Sequence, residues 1–150
     1  PSFRPRDQVK YSQLNMSDNI CDSFSANGAL VGSIVESNSS NGTNVFGELR
    51  GSVFSNNMVG ADGYGVVELT GGLTQGTTFS NNIIQGALEI NESLSSSVFD
   101  SNTISNAITT FYAISDMVIS NNKFTSNLYL RGDVSNTAFN GNHAASLVFM

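Results

Sequence analysis

One short phrase recurs along this chain at almost constant spacing, and it limits the possible folds more than any other feature. Phe54-Ser55-Asn56-Asn57 returns as Phe79-Ser80-Asn81-Asn82. Related copies follow at Phe99-Asp100-Ser101-Asn102, Ile119-Ser120-Asn121-Asn122 and Phe139-Asn140-Gly141-Asn142. Two earlier copies fit the same frame, Met16-Ser17-Asp18-Asn19 and Val35-Glu36-Ser37-Asn38. The last residue of each copy is Asn19, Asn38, Asn57, Asn82, Asn102, Asn122 and Asn142, in steps of 19, 19, 25, 20, 20 and 20 residues. A period near 20 residues is the mark of a solenoid: one unit cannot bury its own apolar side chains, but stacked units can.

The rest of the unit keeps the frame. Five residues after the apolar anchor come Cys21, Val59, Ile84, Ile104, Phe124 and Ala144. Further on, apolar residues stand two apart: Leu88/Ile90, Ile108/Thr110, Leu128/Leu130 and Val148/Met150, followed by Leu94, Ile114 and Val134. One deletion in each of the first two units gives Phe24/Ala26/Leu30 and Thr43/Val45/Leu49, and a four-residue insertion in the third gives Val67/Leu69/Leu73. A spacing of two is the strand period. No helical period persists, and Gly and Asn interrupt every candidate helix. The expected fold is therefore all-β: a right-handed, single-stranded parallel β-helix of about seven coils, each of roughly 20 residues. Phe54, Phe79, Phe99, Ile119 and Phe139 are expected in one inward ladder, and the seven asparagines in one row at a turn. Asn tolerates left-handed backbone, and stacked amides bond along the axis.

Composition fits this reading. Charged residues make up only 12% of the chain, while 39% is hydrophobic and regularly placed, unlike a disordered tract. Residues 13–150 carry Arg50, Lys123 and Arg131 against eleven carboxylates, a net of −8. Such a surface repels phosphate backbones, which argues against nucleic acid as a partner. Residues 1–12 hold the other three cations and both prolines, and are expected to form a lead-in or cap before the body at 13–150. Cys21 is the only cysteine, so assembly is expected without disulfides, with Cys21 a buried thiol. No apolar run approaches the length of a membrane span, and no membrane insertion is expected.

The repeated apolar-Ser-Asn-Asn turn and the coil length resemble the pectate-lyase-like superfamily of right-handed parallel β-helices over residues 13–150. That resemblance implies a set of functions: polysaccharide lyases and hydrolases, epimerases, adhesins, and phage tail spikes that bind or cut surface glycans. The lyases pair a calcium-binding carboxylate cluster with an Arg or Lys base. Here Lys123 and Arg131 are the later cations and neither has an acidic cluster around it in the sequence.

Chemistry is sought on the outward positions of the second half of each coil. One column is expected to read Glu68, Glu89, Thr109, Tyr129 and Phe149, and the next Thr70, Asn91, Phe111 and Arg131. Stacked carboxylates such as Glu68 and Glu89 are a source of general acids, because each discourages ionisation of the other. Their expected separation is close to that of a retaining glycosidase. The insertion at Gly60–Gly65 brings Asp62 and Tyr64 to the edge of this face. The expected carbohydrate-binding set is thus Asp62, Tyr64, Glu68, Glu89, Asn91, Phe111, Tyr129 and Arg131. Glu68 and Glu89 are weak catalytic candidates, and no cofactor or metal is expected.

Other motifs carry less. His143 is the only histidine and has no positioned partner for a nucleophilic triad. Arg131-Gly132-Asp133 matches an integrin-type tripeptide, and Asn15, Asn38, Asn41 and Asn91 head N-x-Ser/Thr sequons; short matches of this kind arise readily by chance. Together these readings point to a structural and receptor-binding segment of a bacteriophage tail spike or fibre. The expected partners are a bacterial surface polysaccharide and either further copies, as a homotrimer, or other virion proteins. The expected location is the virion tail or otherwise extracellular. The alternatives are a polysaccharide hydrolase or lyase of the β-helix class, and a bacterial adhesin or passenger segment. The last coil stops at Val148 and Met150, so its apolar cross-section is expected to be covered by something else.

Overall fold

A computed structural model describes residues 10–105 and 109–150. Every strand pairing in it is parallel, and the strands form four sheets running the length of the molecule. We label them A to D in the order the chain visits them. One full coil shows the plan: Leu73–Thr74 lies in sheet A, Thr78–Ser80 in B, Ile83–Ile84 in C and Gly86–Ile90 in D. Among the described residues, sheets A, B and D contain seven strands each and sheet C six. The fold is the expected all-β parallel solenoid. Residues 1–9 of the expected lead-in lie outside the described residues, whereas Lys10–Ser12 is already the first strand of sheet A, paired with Ala29–Val31.

Sheet B holds the most regular register. Met16, Val35, Phe54, Phe79, Phe99, Ile119 and Phe139 pair in succession. The rings of Phe54 and Phe79 stack at 4.8 Å and 3°, and those of Phe79 and Phe99 at 5.0 Å and 6°. This is one strand spacing, so equal side chains on equal positions meet face to face without strain. The row Val59, Ile84, Ile104 and Phe124 of sheet C is buried beside it, as are Leu30, Leu49, Leu73, Leu94 and Ile114 of sheet A.

The seven asparagines stand in one row between sheets B and C, and each inner one is saturated. The Asn57 backbone N–H and Nδ2 donate to Asn82 Oδ1 at 3.0 and 3.1 Å, and Asn82 donates likewise to Asn102 Oδ1 at 3.0 and 2.9 Å. The second Nδ2 hydrogen of Asn82 goes to the Phe54 carbonyl at 3.0 Å. The left-handed residue of the turn is not the ladder asparagine but the one before it: Asp18, Ser37, Asn56, Asn81, Ser101, Asn121 and Gly141 all have positive φ. The ladder asparagine is needed for its amide, which supplies both donors and an acceptor along the axis.

A second ladder lies at the corner between sheets A and B. The Ser33 N–H donates to Ser52 Oγ at 3.1 Å, and the Ser52 N–H to Thr77 Oγ1 at 3.4 Å. Ser33, Ser52, Thr77 and Ser97 are buried, and Met117 takes the same place in the next coil. Another row of positive φ precedes it, at Gln13, Gly32, Gly51, Gln75, Ser96, Asp116 and Asn136.

Sheet D departs from the expected register in three coils. In the second, Asn44 and Phe46 face the core and Thr43 and Val45 do not. Phe46 packs edge-on against Phe54 at 5.5 Å. Asn44 is satisfied in the core: its Nδ2 donates to Ser40 Oγ at 2.6 Å and its Oδ1 accepts from the Phe24 N–H at 2.8 Å. The deletion lies after this strand rather than before it. In the fifth coil Phe111 pairs with Leu130 and is fully buried, while Thr110 takes the outward register position opposite Glu89 and Tyr129. Ile108 lies outside the described residues. In the last coil Leu147 and Phe149 pair with the inward Leu128 and Leu130, so these, not Val148 and Met150, are the core-facing pair. A one-residue slip exchanges the two faces of a strand, and in each case the larger apolar side chain takes the inner one.

Candidate functional site

The outward face of sheet D carries the candidate site. Its first column, read from the pairings, is Ser25, Val45, Glu68, Glu89, Thr110, Tyr129 and Val148. Glu68 and Glu89 are direct partners on adjacent strands, as expected. Thr109 and Phe149 do not belong to this column, for the register reason given above. Glu89 is exposed and Glu68 half-buried. Asn91 Nδ2 donates to Glu68 Oε1 at 3.2 Å, so the nearest polar partner of Glu68 is an amide from the neighbouring column.

That second column holds Thr70, Asn91 and Arg131, all exposed. Phe111 is not in it. With 0% exposure, Phe111 is a core residue packed edge-on against Phe99 at 5.4 Å, and it leaves the candidate binding set. The residue that stands beside Arg131 is Tyr112, 41% exposed. The column thus keeps an aromatic group, with a hydroxyl that Phe111 lacks. Tyr112 was missed because a strict 20-residue frame places Phe111 there. The Phe111-Tyr112 pair itself was the available signal, since the more apolar of two adjacent aromatics belongs inside. Tyr129 is half-buried, and its hydroxyl oxygen accepts from Asn127 Nδ2 at 3.2 Å.

The insertion forms a compact projection between sheets C and D. The Gly63 N–H donates to the Gly60 carbonyl at 2.6 Å, and both glycines have positive φ. Tyr64 is 88% exposed and Asp62 is exposed. At its base the backbone is close-packed: a Cβ on Gly86 would lie 1.7 Å from the Gly65 carbonyl oxygen. The projection therefore grows from a pinched, fixed corner at the first residue of the Glu68 strand.

A polar groove of about 430 Å³ borders the same face on its other side, where sheet D turns into sheet A. Asn27, Gly47, Glu48, Thr70, Gly71 and Glu92 help line it, and Thr70 belongs to both groove and stripe. Arg50 meets Glu48 twice, Nη2 to Oε2 at 2.6 Å and Nε to Oε1 at 3.3 Å, and Thr74 Oγ1 donates to Glu48 Oε1 at 2.5 Å. Partial burial pushes the Glu48 carboxyl up, but the bonds from Arg50 and Thr74 and the charges of Arg50 and Lys10 outweigh it and hold the group below the ordinary range. Sequence reasoning did not single out this trio. Its signal was the Glu48-x-Arg50 spacing, which puts both side chains on one face of a strand.

The remaining candidates are dispersed. His143 is exposed and pairs through its backbone with Lys123. Arg131-Gly132-Asp133 is exposed at a corner between sheets D and A. Of the sequon asparagines, Asn38 is buried in the ladder, while Asn15, Asn41 and Asn91 are not buried. Cys21 stands in the inward row of sheet C but is only half-buried, and it donates to the Ser23 carbonyl at 3.3 Å. No group of three or more His, Cys, Asp or Glu among the described residues is placed to hold a metal ion. No protein-family model, curated protein or solved structure matches this chain.

Proposed function

We propose that this chain is a structural and receptor-binding segment of a bacteriophage tail spike or fibre. In this reading it works outside the cell as a virion component, as a homotrimer or with other virion proteins, and its ligand is a bacterial surface polysaccharide. The observation that carries the reading is the outward face of sheet D. Tyr112, Tyr129, Arg131, Asn91, Glu68 and Glu89 project there at one-coil intervals from rigid strands. A polysaccharide is a repeating polymer of hydroxyl-rich rings. A row of equivalent positions about 4.8 Å apart offers it repeated contacts without a deep pocket. Tyrosine faces supply apolar area with a polar tip, and carboxylate, amide and guanidinium groups supply acceptors and donors for hydroxyls. The Asp62–Tyr64 projection bounds this face on one side.

The test is binding of the purified chain to a panel of bacterial capsular and O-antigen polysaccharides. Tyr112→Ala/Tyr129→Ala should weaken binding by roughly tenfold or more, about 1.4 kcal/mol. A Val98→Ala control on sheet B should not. Binding unchanged in the tyrosine double variant, or a glycan located on another sheet, contradicts the proposal. The same polysaccharides should be assayed for new reducing or unsaturated ends. Turnover that disappears in Glu68→Gln/Glu89→Gln would move the chain to the hydrolase or lyase class.

A further inference from the structure

The groove where sheet D turns into sheet A has a specific origin in the chain. Ala26, Phe46 and Leu69 are register partners in sheet D, and Leu30, Leu49 and Leu73 are partners in sheet A. Three residues join the two sheets in the first and third coils, but only two, Gly47 and Glu48, in the second. The short corner lies between longer ones, and the groove of about 430 Å³ opens over it. Its floor is bare backbone. A Cβ on Gly47 would lie 2.3 Å from the Gly28 carbonyl oxygen, and one on Gly71 would lie 2.9 Å from the Glu48 backbone nitrogen. The walls carry the Asn27 amide, the hydroxyls of Thr70, Ser93 and Ser95, and the carboxyls of Glu48 and Glu92. The volume is in the range of small-molecule sites, and the lining is made of the acceptors and donors that the hydroxyls of a sugar ring pair with. One of these acceptors is already fixed in place. Arg50 and Thr74 hold the Glu48 carboxyl, and among the described residues Oε2 accepts only from Arg50 Nη2, so it keeps a lone pair for a ligand.

We infer that this groove is a second subsite of the glycan face, holding one sugar unit that carries no carboxylate. The inference rests on the glycan reading above and names the polysaccharides it admits, those whose repeats are uncharged or bear an amino group. Charge decides this. Among the described residues no Lys, Arg or His lines the groove. Arg50, the cation beside it, is committed to Glu48 through two bonds. Lys10 stands two strands from Glu48 in sheet A, about 10 Å, which is near the screening length of physiological salt. A ligand carboxylate would instead face Glu48 and Glu92, with Glu68 and Glu89 on the adjoining strands of sheet D. It would lose water without gaining a cation. Hydroxyl, acetamido and ammonium groups find acceptors there and meet no such repulsion. Thr70 lies in both the groove and the second outward column, so a chain seated in the groove continues over Asn91 and Glu68.

The experiment uses the full 150-residue chain and matched polymers: each uncharged polysaccharide of the panel, and the same polymer after oxidation of its primary hydroxyls to carboxylates. The oxidised member of a pair should bind roughly tenfold or more weakly. Glu48→Gln/Glu92→Gln should narrow that gap. Ser93→Tyr, which sets a ring in the groove from an exposed position, should weaken binding of the uncharged polymer by roughly tenfold with unchanged circular dichroism. In the natural chain, the backbone amide signals of Gly47 and Gly71 should shift when that polymer is added. If Tyr112→Ala/Tyr129→Ala loses binding while Ser93→Tyr has no effect and Gly47 and Gly71 do not shift, the glycan reading stands and the groove subsite is overturned. Equal or tighter binding of the oxidised polymers overturns the exclusion of carboxylates. Binding of no polysaccharide at all overturns the glycan reading, and the subsite falls with it.

Discussion

The corner between sheets B and C and the outer face of sheet D belong to the same coils but tolerate very different things. At the B–C corner seven strands and seven asparagines keep one register. Around sheet D the chain gains a four-residue projection and shifts by one residue in the second, fifth and last coils. The reason is what each region asks of its residues. An asparagine in the ladder serves three other residues, as Asn82 does Asn57, Asn102 and the Phe54 carbonyl, and a shift would break all these bonds at once. Sheet D asks only that a large apolar side chain reach the core at the right height. Its corners absorb the spare residue, and its outer face is left to vary. The conserved geometry of one side is the scaffold on which the other can carry function.

The largest expected effect is on the invariant side. Phe79→Ala removes a fully buried ring held between Phe54 and Phe99 and should cost roughly 3–5 kcal/mol in denaturant melts, because fixed coils cannot close the cavity. Tyr129→Ala on sheet D should cost far less, and equal losses would erase the distinction drawn above. Asn82→Ala comes next. It strips the acceptor from two donors of Asn57 and should cost roughly 2–4 kcal/mol, read from the same melts. Deleting residues 61–64, so that Gly60 runs into Gly65, should change stability by less than about 1 kcal/mol, since it shortens a surface projection to the corner length used in the other coils. A large loss there would mean that the projection supports the coil beneath it.

The smallest effect is a pH dependence. The Glu48 carboxyl is held below its ordinary range in the folded chain. Its contribution is therefore fully present above the unfolded value and is lost as pH falls through the folded one, on the acid side of the ordinary carboxylate range. Asp100 acts in the same direction. The hydrogen bond from Ser120 lowers it most, burial opposes, and further bonds from Ser101 and Asn121 add to the lowering. Thermal melts from pH 6 to 3 should fall less steeply for Glu48→Gln than for the natural chain. Parallel curves would remove Glu48 from the balance.

The pattern of success in reading the sequence follows the same division. The Phe and Asn ladders were legible because identical residues repeat where identical contacts are made. Sheet D was legible in outline only. Val45 and Phe46, or Phe111 and Tyr112, are neighbours that both suit an alternating strand, and a frame counted from the asparagines cannot see a residue lost at one corner and gained at another. The Ser33-Ser52-Thr77-Ser97 row was hidden by the general abundance of serine. Of the candidate site, the Glu68–Glu89 pairing and the exposed Asp62, Tyr64, Asn91 and Arg131 were legible from spacing, while the Glu48–Arg50–Thr74 trio required knowing that Leu49 and Leu73 are strand partners.

The central claim is that residues 19 to 25 apart stack directly on one another through the whole chain. Nuclear Overhauser contacts on a sample with labelled Phe and Asn test it most directly. The account predicts ring contacts from Phe79 to both Phe54 and Phe99, and contacts from the Asn82 side-chain amide to those of Asn57 and Asn102. Phe79 in contact with neither ring, or an Asn82 amide that exchanges freely with water, would contradict it.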